Sequence, residues 1–205
     1  MASIGVGLIG CGGRLRAVVE RLLKATDGVS VVAVHDPNEA SADAARTAFN
    51  PDATVHATDT ALCEDAAVDW VMIGSWNCFH ADQVIAAFAA GKHVFCEKPL
   101  ALTIDDCLRM REAWQASGRQ FSIGFTLRYS PHYVRVHELI QSGAIGNIIS
   151  MEFNETLDFN HGGYIHADWR RKTEWAGSHL LEKCCHDIDL VNWMVGSTVV
   201  RAASF

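Results

Sequence analysis

The chain has 205 residues, of which 49% are hydrophobic and 20% charged, and its formal net charge is −7 at pH 7. This composition is ordinary for a globular protein, and the acidic balance excludes a basic nucleic-acid-binding surface and a polybasic membrane anchor. No apolar run is long enough to span a bilayer, and the N-terminus lacks the basic start and long apolar stretch of a signal peptide. The seven cysteines are odd in number and lie mostly among apolar neighbours, so we expect free thiols in a protein of the reducing cytoplasm.

The first 125 residues alternate short apolar runs with segments of helical spacing. Strands are predicted at residues 4–9, 29–34, 54–57, 70–73, 93–96 and 120–125. Helices are predicted between them, at residues 15–26, 37–49, 80–90 and 103–117. The second of these helices is expected to carry Pro37 in its first turn. Strands that alternate with helices form βαβ units, so we expect an α/β domain over residues 1–125, a doubly wound parallel sheet of the Rossmann type.

The pattern changes over residues 126–205. Helices are predicted at residues 131–142 and 181–195, strands at 147–156 and 198–205, and a polar loop at 157–178. This order predicts the first part of an α+β second domain, which we expect to be incomplete because a two-stranded sheet covered by a single helix cannot bury its faces. We favour a fragment of a longer enzyme over a shortened protein completed by a partner chain, and we expect a homo-oligomer through this sheet, which would be obligate if the length is native.

A glycine-rich turn follows the first predicted strand. Gly10 permits a tight turn, and Gly12 lets the backbone approach a pyrophosphate that is met by the amides of the next helix, with Gly13 and Arg14 at its start. The third position of this dinucleotide-binding fingerprint is Leu15 instead of glycine, which predicts looser packing of the helix on the strand.

An acidic residue ends the second predicted strand. The carboxylate of Asp36 can accept hydrogen bonds from the adenosine ribose hydroxyls and would repel a 2′-phosphate. We therefore expect NAD as cofactor and consider NADP less favoured. The alternative is that Asp36 serves only as a negative charge near a helix N-terminus.

Four stretches resemble, in the right order, the motifs of the Gfo/Idh/MocA oxidoreductases. Residues 91–100 contain Glu97-Lys98-Pro99, which closely resembles the Glu-Lys-Pro signature of this family. Residues 74–80 resemble its Thr-Pro-Asn-x-x-His loop, although Ser75 and Trp76 replace Thr and Pro. Two further matches follow at residues 124–131 and at residues 182–189, where Glu182 replaces an aspartate.

The resemblance implies roles for individual residues. The residues it assigns to cofactor binding, beyond those of the glycine turn and Asp36, are Ser75, Asn77, His80, Glu97, Lys98 and Arg128. It implies that Lys98 lies beside the nicotinamide and the substrate hydroxyl, that His186 is the acid/base, and that the Lys98–Pro99 bond is cis. It also implies that Trp169 and Arg170 lie near the cofactor or substrate, so the substrate-binding residues are Lys98, Trp169, Arg170, Glu182 and His186.

These residue types suit alcohol oxidation. Nicotinamide accepts a hydride, a histidine can accept a proton near neutral pH, and a lysine can stabilise a developing alkoxide. On a helix, Glu182, His186 and Asp189 fall on one face, so the Glu182 carboxylate can orient the His186 ring. Two alternatives stay open: His186 is a structural histidine, and Lys183 pairs with Asp187 one turn away.

The polar loop carries four side chains of metal-ligating types, Asp158, His161, His166 and Asp168. They lack the fixed helical spacing of a zinc enzyme, and Cys184-Cys185 has no second cysteine pair. We expect no metal, and we interpret the loop as a substrate-contacting segment, since a polyol needs many hydrogen-bonding partners.

The sequence therefore predicts an NAD-dependent oxidoreductase that moves a hydride between a sugar, polyol or cyclic alcohol and the nicotinamide. Two other functions remain open. A non-catalytic NAD-binding regulator would use the same cofactor domain without turnover. An NAD-dependent glycosidase would use the hydride step transiently and form no net NADH.

Overall fold

The computed structural model describes residues 3–156, 158–166 and 168–203, apart from the side chains of residues 161 and 165. The chain forms two compact units that divide between Gly124 and Phe125. Among the helices in these ranges, none combines the length and apolar character needed to cross a membrane.

The first unit is built on a parallel sheet whose strands are the short apolar runs of the sequence. The strands are β1 (Ile4–Ile9), β2 (Val29–His35), β3 (Thr54–Val55), β4 (Trp70–Ile73), β5 (His93–Cys96) and β6 (Phe121–Ile123). Their order is β3-β2-β1-β4-β5-β6, and every pairing is parallel. The predicted doubly wound Rossmann sheet is confirmed, and its strand order reverses between β1 and β4, the place where such sheets bind their ligands.

The register of the sheet aligns the last residues of five strands. Ile9 pairs with both His35 and Ile73, and Cys96 pairs with both Ile73 and Ile123. The residues that follow this row therefore lie along one edge of the sheet. They are Gly10, Asp36, Gly74, Glu97 and Gly124.

Helices cover both faces of the sheet. They are α1 (Gly13–Ala25), α2 (Glu39–Phe49), α3 (Asp59–Glu64), α4 (His80–Ala89) and α5 (Ile104–Ser117). One apolar cluster joins Leu15 and Val19 of α1 with β1 and β2, and a second joins Val84 of α4 and Met110 of α5 with β4 and β5. The core thus has two layers, one on each side of the sheet, as the alternating pattern predicts.

One local prediction in this unit was wrong, and one short helix was not predicted. Pro37 does not open α2, because the Asn38 side chain accepts hydrogen bonds from the amides of Ala40 and Ser41 and so caps a helix that begins at Glu39. Helix α3 was not predicted, since its six residues are too few to show helical periodicity. It is fixed instead by the Thr58 side chain, which accepts the amide of Ala61.

The second unit is helical in its described residues. Its helices are α6 (Pro131–Gln141), α7 (Phe159–His166), α8 (Thr173–Ala176) and α9 (His179–Val195). Two further turns of 3-10 helix lie at Thr126–Tyr129 and Asp168–Arg171. The predicted loop over residues 157–178 was wrong over much of its length, because short helices form where aromatic and basic side chains stack.

The two strands predicted for this unit are not formed by described residues. Residues 147–156 and 198–203 form no strand and pair with no described strand. Their apolar side chains are exposed as well, to 92% at Ile149 and 98% at Val200. A strand needs a neighbour to bond its backbone groups, so an alternating sequence alone does not produce one.

Candidate functional site

The turn after β1 has the shape that a dinucleotide-binding turn requires. Gly10 has a φ of +78°, and a Cβ there would lie 2.3 Å from the backbone nitrogen of Ser75, so only glycine fits. Gly12 is the N-cap of α1 and provides no side chain that caps the helix, so the first-turn amides face an opening. A Cβ at Gly12 or Gly13 would meet nothing within 4 Å. Open space in front of a helix N-terminus fits a bound pyrophosphate.

Leu15 packs tightly against the start of the loop after β4. Its side chain is fully buried, and a Cβ on Gly74 would lie only 2.6 Å from the Leu15 Cβ. The looser packing expected from leucine at the third fingerprint position was therefore wrong. The helix still approaches the strand closely, because the glycine at this contact is Gly74 after β4 instead of a residue of α1.

Asp36 is fixed at the mouth of the turn by two backbone amides. Its Oδ2 accepts the amide of Cys11 at 2.7 Å, and its Oδ1 accepts the amide of Asn38 at 2.8 Å. The side chain is half-buried, and each carboxylate oxygen has a second lone pair. Asp36 therefore links the end of β2 to the glycine turn, and its carboxylate can still accept hydrogen bonds from hydroxyl groups.

Arg14 and Glu97 connect the glycine turn to the end of β5. The Arg14 Nε lies 2.9 Å from the Glu97 Oε1, and the Glu97 side chain is 6% exposed against 42% for Arg14. On its other side, Glu97 packs against Gly124, where a Cβ would lie 2.9 Å from the Glu97 Oε2. Both predicted cofactor residues thus belong to one ion pair, which fixes the segment that leads into Lys98.

Lys98 follows on a cis peptide bond to Pro99, as the family resemblance predicts. The Lys98 side chain is half-buried, and its backbone amide lies 3.3 Å from the Glu97 Oε2. The ring of His80 lies behind this segment, with its Nδ1 2.9 Å from the Pro99 carbonyl oxygen and its Nε2 3.2 Å from that of Ser75. His80 is 1% exposed, so it joins the two loops from inside the unit.

Hydrogen bonds through α4 connect the loop after β4 to α3. The Ser75 hydroxyl donates to the Gln83 side chain at 2.6 Å, and Gln83 in turn donates to Asp59 at the start of α3. Asn77 is 4% exposed. The unpredicted helix α3 therefore supports a loop that the sequence assigned to cofactor binding.

In the second unit, Glu182 and His186 lie on the buried face of α9. They are 7% and 8% exposed, and Leu190 and Met194 continue the same face. The His186 ring meets Phe125 edge to face, with ring centroids 5.9 Å apart. The predicted sharing of one helix face by the two polar residues is confirmed.

Arg128 is held by the same helix. Its guanidinium binds both oxygens of Asp189, with its Nε 2.7 Å from Oδ2, and it lies over the Trp193 ring. The hydrogen bonds that the Arg128 guanidinium donates to the Asp189 carboxylate raise the pKa of Arg128. Arg128 is thus anchored within the second unit by a fork-shaped ion pair, a contact that the sequence did not predict.

Arg170 lies between two aromatic rings. Its guanidinium carbon is 4.0 Å from the centroid of the Tyr164 ring and 4.3 Å from that of Trp169, and its Nε is 3.8 Å from the Glu182 Oε1. Asp168, just before this pair, has a φ of +48°, a conformation uncommon outside glycine. Tyr164 was missed by sequence reasoning, because nothing in its spacing marked it.

Lys183 pairs with Glu155 at 2.7 Å, whereas the sequence had left open a pairing with Asp187. Asp187 also lies near Glu155, and burial together with that negative charge raises the pKa of the Asp187 carboxyl. Within the described ranges, no three His, Cys, Asp or Glu side chains are placed to hold a metal ion, and the side chain of His161 lies outside those ranges.

Comparison with known protein families identifies both units. Residues 4–125 match the family model described as an oxidoreductase family with an NAD-binding Rossmann fold, and residues 137–204 match that family's C-terminal alpha/beta domain. The chain belongs to the Gfo/Idh/MocA oxidoreductase family. The resemblance stated from the sequence motifs and the prediction of NAD as the cofactor of the first unit are thereby confirmed.

Individual relatives agree with this assignment. Inositol 2-dehydrogenase of Gluconacetobacter diazotrophicus is 34% identical, over 98% of this chain and 57% of the relative. The chain thus spans little more than half of that protein. Myo-inositol dehydrogenase of Lactobacillus casei, in complex with NAD(H) and myo-inositol, superposes with a TM-score of 0.77 at 27% identity, over 95% of this chain and 55% of that one. The WlbA dehydrogenase of Bordetella pertussis, in complex with NADH and UDP-GlcNAcA, has a TM-score of 0.80 at 26% identity, with 95% and 56% covered.

Proposed function

We propose that this protein is an NAD-dependent dehydrogenase that oxidises a secondary hydroxyl group of a cyclic polyol of the inositol type. The observation that carries the proposal is the link between Lys98 and the cofactor turn. Glu97, the residue before Lys98, is ion-paired with Arg14 in the first turn of α1. The Lys98 ammonium is thus positioned, through the neighbouring Glu97, next to a dinucleotide-binding turn, where it suits chemistry beside the nicotinamide.

The residues have distinct parts in the proposed reaction. NAD supplies the hydride acceptor when it is bound. The Lys98 ammonium donates a hydrogen bond to the substrate oxygen and stabilises the negative charge that develops there. His186 accepts the hydroxyl proton, and the Glu182 carboxylate, one turn earlier on α9, stabilises the charged ring.

The substrate class is supported by the relatives. Inositol 2-dehydrogenases match almost the whole chain, and a solved neighbour binds both NAD(H) and myo-inositol. The residues assigned to substrate, which are Lys98, Trp169, Arg170, Glu182 and His186, are donors and acceptors of the kind that hydroxyl groups need.

The test is the formation of NADH by the purified chain with NAD and a panel of inositols and sugars. We expect steady NADH formation that Lys98→Met and His186→Gln each reduce by roughly 10²–10⁴-fold. The matched controls are Lys24→Met and His132→Gln, whose side chains are exposed. Tight NAD binding without NADH formation would favour the regulator, and sugar release without net NADH would favour the glycosidase.

We also propose that the protein is cytoplasmic and forms a homo-oligomer. No disulfide bond joins any of the seven cysteines, all of which the structure describes, and this supports a reducing compartment. The exposed apolar side chains of Ile149 and Val200 support association through residues 147–156 and 198–203. Sedimentation of the purified chain tests the oligomer, and a stable monomer at micromolar concentration contradicts it.

A further inference from the structure

We propose that a cavity at the amino-terminal edge of the parallel sheet binds a small organic anion, a carboxylate or a phosphate monoester on an apolar body. The cavity has a volume of about 470 Å³ and is lined by residues at the starts of β1, β4 and β5, together with Arg119 just before β6. It therefore lies at the edge of the sheet opposite to Gly10, Asp36 and Glu97. The inference goes beyond the proposed function and does not depend on it.

Lys92 is one of two cations in the wall of this cavity. Its Nζ donates hydrogen bonds to the carbonyl oxygens of Asp65 and Val68, at 2.8 and 2.7 Å. An ammonium has three N–H groups, so one remains for a ligand. Lys92 forms no ion pair with a described carboxylate, and the carboxylate of Asp65 nearby binds His56 and the amide of Ala67 instead. The two carbonyl oxygens thus position the ammonium while its charge stays available to an anion.

Arg119 is the second cation. Its guanidinium lies across Gly91, where a Cβ would be 3.6 Å from one Nη and 4.0 Å from the Nε. The backbone of Arg119 is fixed on both sides, because its amide donates to the Ser117 hydroxyl at 3.1 Å and its carbonyl oxygen accepts from the Trp114 ring at 2.9 Å. The side chain is exposed and forms no ion pair with a described residue. A guanidinium in this state can offer two parallel N–H groups to a carboxylate or phosphate.

Two stacked rings add a donor and an apolar surface. Trp70 and His93 pair across β4 and β5, with ring centroids 5.0 Å apart and planes at 21°. The His93 Nδ1 accepts the backbone amide of Gln120 at 3.0 Å, so the proton of the neutral ring is on Nε2. Ile4 and Val68 add apolar lining. The cavity thus combines groups for an anionic head with apolar groups for the body of a ligand.

The charges of the cavity favour a single negative charge. Asp69 also lines it, and its Oδ2 accepts the amide of Gly5 at 2.8 Å. With Lys92 and Arg119 the lining has a formal charge of +1, in a chain whose net charge is −7. A positive concavity on an acidic protein attracts anions. Its volume lies in the range of about 300–1,000 Å³ that is usual for small-molecule sites, which leaves room for an organic body beside the charged head.

The test is calorimetric titration of the NADH-saturated chain, whose cofactor site is filled, with phenyl phosphate, benzoate and the uncharged benzyl alcohol. We expect saturable binding of at least one of the two anions and none of the alcohol, and the tighter anion shows whether the ligand is a phosphate ester or a carboxylate. Arg119→Met should weaken this binding roughly 10–100-fold, because it removes a charge-assisted hydrogen bond. The matched control is Arg111→Met, which removes an exposed arginine outside the cavity and should leave the affinity unchanged.

Two further measurements locate the bound anion. Asp69→Asn should tighten binding several-fold, since it removes a negative charge and keeps an acceptor for the Gly5 amide. The indole N–H resonance of Trp70, assigned with Trp70→Phe, should shift when the anion is added, whereas that of Trp193 in the second unit should not.

The inference is overturned if neither anion binds up to about 10 mM. It is also overturned if Arg119→Met and Arg111→Met weaken binding equally, or if binding leaves the Trp70 resonance unmoved. NADH formation from polyols is measured separately, so the proposed function stands or fails independently of these results.

Discussion

Leu15 of α1 and Gly74 at the end of β4 are in contact at a distance that only a glycine permits. A Cβ added at Gly74 would lie 2.6 Å from the Leu15 Cβ, and Leu15 is fully buried. The glycine that a dinucleotide-binding fingerprint carries on the helix is thus replaced by a glycine on the facing loop.

Gly74→Ala should destabilise the first unit by about 2–4 kcal/mol, because neither the helix nor the strand can move away cheaply. Leu15→Gly should also be destabilising, since it leaves a cavity. In the double variant the clash is absent, so we expect a favourable coupling energy of about 1 kcal/mol or more in a double-mutant cycle of urea unfolding. Gly163→Ala, where a Cβ meets nothing within 4 Å, is the control, and strict additivity would contradict the proposed contact.

Asp36 should control both the affinity for NAD and the choice against NADP. Asp36→Ser removes the acceptor of the ribose hydroxyls and the repulsion of a 2′-phosphate. We expect NADH to bind roughly 10–100-fold more weakly and NADPH to bind no more weakly than before, measured by fluorescence titration. Asp43→Asn changes an exposed carboxylate on α2 and should alter neither affinity. Unchanged NADH affinity in Asp36→Ser would refute this role.

The Arg14–Glu97 pair should matter more for the site than for overall stability. Arg14 is nearly half exposed, so solvent screens the pair, and Arg14→Met should lower stability by only about 1 kcal/mol. Glu97 would then remain buried without its cation, and the segment leading to Lys98 would lose its anchor. We expect weaker NAD binding from Arg14→Met, and a smaller loss from the same change in a Glu97→Gln background. Equal losses in both backgrounds, in calorimetric titrations, would show that the pair does not act as a unit.

The buried thiols of the first unit should be unreactive near neutral pH. Burial, with a smaller contribution from Asp36, raises the pKa of Cys11 to about 12, and burial raises the pKa of Cys63 to about 11. Only the thiolate is alkylated, so at pH 8 roughly one Cys11 in ten thousand is in the reactive form. Mass spectrometry after iodoacetamide treatment should find both residues unmodified in the folded protein and modified in denaturant. Rapid labelling of Cys11 without denaturant would mean that the glycine turn is open.

The sequence predicted the first unit well because most of its strands are short apolar runs and its longer helices show helical spacing. Helix α3 escaped prediction because six residues depend on a cap at Thr58 and on burial of Leu62 and Cys63. In the second unit, α6 and α9 match the two predicted helices, whereas the two predicted strands are not formed by the described residues. Residues 147–156 have a strand-like pattern, yet a strand also needs a bonded neighbour, which no pattern within the segment can guarantee.

The candidate site divides in the same way. Gly10, Gly12 and Asp36 could be predicted because each meets a backbone or charge requirement that few residue types satisfy. The contacts between site residues could not be predicted. The contact of Tyr164 with Arg170 and the two hydrogen bonds from Arg128 to the Asp189 carboxylate depend on tertiary packing. Sequence motifs therefore identified the chemical groups, and only the fold showed what holds each of them.

Because the five strands end in one row, the length of each strand determines where the site residue that follows it lies. Ile9, His35, Ile73, Cys96 and Ile123 end in one row. Deleting one residue within β4 would draw the following loop back by about 3.3 Å and turn every later side chain to the opposite face. Insertions and deletions among natural variants should therefore concentrate in the connections that enter the strands, and they should be rare between a strand and the residue that follows it in this row.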